Sequence, residues 1–106
     1  MITDTHKRGD SFSRLITIPA DLADGHFVGW TMAGQVRDEA GNLLANLTCA
    51  WVDAQTTREL RVTVLATTAW PVGAAELDVQ FTRTSDGWVQ STETHRFKVI
   101  RDVTQP

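Results

Sequence analysis

The chain has a single cysteine, Cys49, so no internal disulfide can form. Its longest apolar runs fall far short of the roughly 20 residues that a membrane helix needs. Residues 1–20 lack an uninterrupted apolar core after a basic start, so no secretion signal is expected. Charge of one sign is also scarce: 10 basic and 13 acidic residues are interspersed, for a net charge of −3. Nothing resembles the basic patch that draws a protein to nucleic acid, and "HKR" at His6–Arg8 is too short to be one. These absences predict a protein held in a reducing cytoplasm until assembly or release, with neither nucleic acid nor membrane as partner.

Recognisable chemistry is missing as well. The sequence has no nucleophile elbow, phosphate loop or paired-carboxylate motif. Asp21 with Asp24, and Asp38 with Glu39, read as loop residues. His6, His26 and His95 lack ligand spacing, and a metal site needs three or four convergent ligands. Each is expected to be a solvated loop or strand-face residue. No catalytic residue, cofactor or metal is therefore expected. "RGD" at Arg8–Asp10 matches an adhesion tripeptide, but its simpler reading is a turn, with Gly9 bending the chain and Asp10 capping the next strand. "NLT" at Asn46–Thr48 matches a glycosylation acceptor and reads as the polar face of a strand.

What the sequence does have is alternation. At 106 residues it is one domain, long enough to bury a core of its own. In "VGWTMAGQVRDEAGNLLANLTCAW", Val28, Trp30, Met32, Gly34 and Val36 share one parity, and Leu43, Ala45, Leu47, Cys49 and Trp51 share another. Period two marks half-buried strands. "EAGN" supplies Gly41 and Asn42 for the turn between them. Cys49, inside an apolar alternation, is expected to be a buried inert thiol.

The pattern recurs. Leu60, Val62 and Val64 share a face, as do Leu77, Val79 and Phe81, and Phe97 with Val99. "TSDG" at Thr84–Gly87 predicts a second hairpin turn leading into a weaker strand, "WVQST". Near the start, Phe12, Ile16 and Ile18 share a parity that Arg14 interrupts. "TTAWPVG" has room for one helical turn before Pro71, and "PADLADG" for a turn or a loop. About seven short strands predict an all-β antiparallel sandwich in a single domain, 1–106, with flexible ends at about 1–8 and 102–106. The expected core is Trp30, Val36, Leu47, Trp51, Leu60, Val62, Val64, Leu77, Val79, Phe81, Phe97 and Val99. Of the four tryptophans, Trp70 is expected to plug one end, and Trp88, after the turn, to be partly exposed.

The order "RGDSF", "GWTMAGQVRDEAGNLLANL", "TRELRVTVLATTAWPVGAAELDVQFTRTSDGW" and "FKVIRDVT" resembles small proteins of tailed phages and prophages. These are immunoglobulin-like modules similar to the N-terminal domain of phage baseplate upper proteins. The resemblance spans nearly the whole chain and is one of strands and turns. It implies an immunoglobulin-like sandwich and a structural role in the virion, in tail or baseplate. The implied partners are other tail proteins or further copies of the chain, joined in an oligomer. The sheet edges expected to make those contacts lie near Phe12 and Trp88. A carbohydrate-binding or adhesin-like module using an exposed tryptophan is the alternative.

Overall fold

A computed structural model describes residues 4–103. Among these residues the protein is all-β, with no helix. The strands are β1 (Thr5–Lys7), β2 (Phe12–Thr17), β3 (Thr31–Asp38), β4 (Leu43–Trp51), β5 (Glu59–Val64), β6 (Gly73–Thr82), β7 (Val89–Ser91) and β8 (His95–Ile100). They follow one hydrogen-bonded path, β1-β8-β6-β3-β4-β5-β2, with β7 also beside β6. All pairings are antiparallel except β1 with β8.

β4 is where the path turns. Its first half pairs with β3, Leu47 facing Gly34, and its second half pairs with β5, Thr48 facing Thr63. The far ends of the path then meet through side chains. The Arg14 guanidinium on β2 donates to both carboxylate oxygens of Asp4, at 2.8 Å each, and to the Thr5 carbonyl at 3.1 Å. The Arg14 that interrupts the β2 parity thus faces inward and closes the curled sheet, its guanidinium 4.6 Å from the centre of the Phe12 ring.

The alternation places the core much as expected. Val36, Leu47, Leu60, Val62, Leu77, Val79, Phe81, Phe97 and Val99 are buried, joined by Phe12, Ile18, Phe27, Trp70 and Ala75. Trp30, Trp51 and Val64 lie at its margin, half-buried and packed against it. Trp51 stacks on Phe81, with centroids 5.7 Å apart and rings within 13° of parallel. Trp70 plugs one end against His6, Phe12 and Phe97.

Several expectations change. Residues 5–7, assigned to a loose end, form β1 and pair in parallel with Lys98–Ile100. The other end expected to be loose, 102–106, lies outside the described residues from 104 onward. Val28 is 56% exposed, because β3 starts only at Thr31 and the preceding segment is a chain of turns. Leu43 is 47% exposed, because the pairing slips by one residue between Val36↔Ala45 and Arg37↔Leu43. Such a bulge moves every later residue to the other face. Leu44 packs against the core where Leu43 was expected. The segments with room for a helical turn form only tight turns, closed by Trp70 N–H to the Thr67 carbonyl and Leu22 N–H to the Pro19 carbonyl. Cys49 is half-buried, and that burial pushes its thiol pKa up.

Candidate interaction surface

The most exposed aromatic side chain is built by the β6–β7 turn. The alternation of β6 ends at Thr82, and "TSDG" reverses the chain with Gly87 at φ +78°, a value that suits glycine. Arg83 N–H donates to the Trp88 carbonyl at 2.8 Å, closing the loop. Asp86 then fixes what the turn carries. Its carboxylate accepts from Arg83 Nε and Nη2 at 2.9 and 2.6 Å, and from the Trp88 backbone N–H at 3.0 Å. The Arg83 hydrogen bond first, and then the Trp88 N–H, hold its pKa at about 2. The turn therefore keeps a charged carboxylate at any ordinary pH.

The held guanidinium lies 5.6 Å from the Trp30 ring centre and 5.9 Å from that of Trp88. Both distances are within cation–π range. Thr84 Oγ1 donates to the Gly29 carbonyl at 3.2 Å, tying the turn to the segment that carries Trp30. Trp88 itself remains 61% exposed, beside Val89 at 49%. The result is a broad aromatic face carried on a pinned turn and open to solvent.

Phe12, the other expected contact, is 1% exposed and cannot reach a partner. Its ring packs on Trp70, Phe97 and His6, with centroids at 5.5, 4.9 and 5.1 Å. The reason is the parity of β2: the edge strand turns its even-numbered side chains inward. His6 also departs from its expected solvated place. It is 6% exposed, and its Nε2 lies 3.0 Å from the Asp10 carbonyl and 3.3 Å from Thr67 Oγ1. A carbonyl only accepts, so Nε2 carries the proton. Burial lowers the His6 pKa more than the Asp10 hydrogen bond raises it. The RGD stretch is a turn, with Asp10 N–H donating to the Lys7 carbonyl at 3.2 Å.

Two further groupings bear on a candidate site. Asp4 accepts from Arg14 and lies 2.7 Å from His95 Nε2. Partial burial alone would raise the Asp4 pKa, but the hydrogen bonds of Arg14 and His95 outweigh it and hold the carboxyl below its ordinary value. This group joins β1, β2 and β8. Among the described residues, no set of three or more His, Cys, Asp or Glu side chains converges as a metal site would require. The second grouping lines a groove of about 350 Å³ between β2 and β7, with Ile16, Phe27 and Phe81 among its walls and Asp21 and Glu93 as its charged residues.

The Arg83–Asp86 clamp had a signal in the sequence: an Arg three residues before the Asp of an "SDG" turn. The groove had none, because it depends on which strands are left unpaired. Comparison with protein-family models and with curated protein sequences finds no match.

Proposed function

We propose that the protein is a structural building block of a phage or prophage virion, in tail or baseplate, working through protein–protein contacts. The observation that carries this reading is Trp88, a large aromatic side chain held open to solvent by the Arg83–Asp86 clamp. Tryptophan and arginine are the residues most enriched at the energetic centres of protein interfaces. The turn already fixes the Trp88 backbone, so less freedom is left to lose on docking. The strand-and-turn resemblance to baseplate modules supplies the virion context. In this reading the curled sheet is an immunoglobulin-like sandwich. One layer is β1-β8-β6-β3, the other is β5-β2, and β4 is shared between them. The protein waits in the bacterial cytoplasm, joins copies of itself or other tail proteins, and turns over no substrate.

The test is sedimentation velocity over a concentration series, with Trp88→Ala beside the parent chain. The parent is expected to self-associate or to bind an identified tail protein, with the Trp88→Ala variant at least about tenfold weaker, as for an interface centre. The same flat indole beside Arg83 and Asp86 also suits stacking on a sugar ring. A parent chain that stays monomeric and binds a glycan array through Trp88 would replace the structural reading with a carbohydrate-binding one.

A further inference from the structure

The groove between β2 and β7 has an open strand edge along one wall. Ile18 N–H donates to the Arg58 carbonyl at 2.8 Å, continuing the β2–β5 register beyond Thr17↔Glu59. Antiparallel pairs alternate between bonded and non-bonded positions. Ile16 and Arg14 therefore bond to β5 as Ile18 does, and Ser13, Leu15 and Thr17 turn their N–H and C=O groups away from it. Among the described residues β2 has no other strand neighbour. Arg14 Nη1 donates to the Ser13 carbonyl, leaving the Leu15–Thr17 portion open.

The opposite wall is also an edge. Arg83 N–H bonds to the Trp88 carbonyl and Thr92 N–H to the Val79 carbonyl, so the even positions of β7 face β6. Val89 and Ser91 face the other way by the same alternation. The floor between the two edges is apolar, with Ile16, Phe27 and Phe81. A smaller groove of about 170 Å³ continues past Ile16 and Glu93 to Leu77 and His95. The only charged residues of the larger groove are acidic, Asp21 and Glu93. Both are exposed, and neither is ion-paired among the described residues.

We propose that this groove binds an extended segment of a partner protein, added as a strand to the free edge of β2. The segment places an apolar side chain on Ile16 and Phe81 and a Lys or Arg between Asp21 and Glu93. Backbone hydrogen bonds to Leu15 and Thr17 supply affinity, while the apolar floor and acidic rim supply selection. The inference rests on the reading that the protein works by protein contacts, and it gives that reading a second site and a partner chemistry. An unoccupied edge of this kind is what assembling proteins use and what monomers usually cover.

A displayed library of random nine-residue peptides, selected against the full chain, provides the test. Selected peptides are expected to alternate apolar and polar residues and to carry a Lys or Arg. Their binding should slow amide hydrogen exchange at Leu15 and Thr17. The doubly charge-reversed Asp21→Lys, Glu93→Lys variant should bind them at least about tenfold less well. Leu15→Pro removes an edge N–H without touching the β5 ladder and should weaken binding similarly. If Leu15→Pro does not fold, the charge-reversed variant still decides, since both its sites are exposed. The inference is overturned if no peptide is enriched, or if the enriched peptides bind the charge-reversed variant as well as the parent. Peptides that lose binding only in Trp88→Ala would also overturn it, while leaving the protein-contact reading intact.

Discussion

His6 shows how a single residue links the fold to pH. Its Nε2–H meets the Asp10 carbonyl inside a cluster of Phe12 and Trp70. The buried ring resists protonation, so its folded pKa lies below the unfolded value of 6.5. A lowered histidine pKa means that the unfolded chain binds the proton more readily. Its stabilising contribution is complete above the unfolded value and is lost as pH falls from there through the lower folded value. Urea melts at pH 7.5 and 5.5 are expected to show the parent losing stability at the lower pH, with a smaller loss in His6→Gln. At pH 7.5 the variant should itself be about 1–3 kcal/mol less stable, from its disrupted buried hydrogen bonds. An equal pH dependence in both chains would mean that another group carries the effect. The sequence could not reveal this residue, since a lone histidine near a chain end looks the same whether buried or solvated. Only the pairing of β1 with β8 brings it under Trp70.

Among the elements, β6 was the most legible. Its alternation runs unbroken through Ala75, Leu77, Val79 and Phe81, all buried. Its pairings with β3 and β8 run without a register slip. β4 was legible only in part. The bulge opposite Val36 and Arg37 flips Leu43, and nothing in "NLLANL" signals an extra residue on one strand. β1 was missed because three residues are too few to show a period. Gly34 illustrates a residue whose reason lies in the neighbouring strands. A Cβ there would sit 2.8 Å from Leu47 Cδ1, 3.1 Å from the Asp78 carbonyl oxygen and 3.2 Å from Val79 Cγ2. The Leu47 methyl can turn aside, but the Asp78 carbonyl belongs to the facing backbone of β6. Gly34→Ala should therefore destabilise the protein by about 1–3 kcal/mol through overpacking, despite the better strand propensity of alanine. Thermal melts check this directly. A variant as stable as the parent would mean that β3 and β6 separate at little cost.

At the scale of the whole molecule, the sheet is held closed by few groups. The molecule measures 45 × 26 × 25 Å, an elongated block. β1 and β2 are the two ends of its strand path, and Arg14 with Asp4 joins them. The side chains are only 24% and 30% exposed, and the contact is bidentate. Both features favour a stronger coupling than the usual exposed pair, which contributes ~0–1 kcal/mol. A double-mutant cycle with Arg14→Ala and Asp4→Ala is expected to give a coupling of about 1–2 kcal/mol, above that range. The Asp4 carboxyl is held below its ordinary value of 3.8, so its contribution is present above that pH and fades as pH falls through the lower folded value. The cycle repeated at pH 3 should therefore give a smaller coupling than at pH 7. Opening this seam should also speed amide exchange in β1, whose pairing to β8 spans only Thr5–Lys7, while the centre of β6 stays protected. Equal acceleration in β1 and β6 would mean that the seam and the core open as one unit. An acceleration confined to β1 would make the seam a local latch beside the open edge of β2, leaving the rest of the block rigid enough to serve as a unit of assembly.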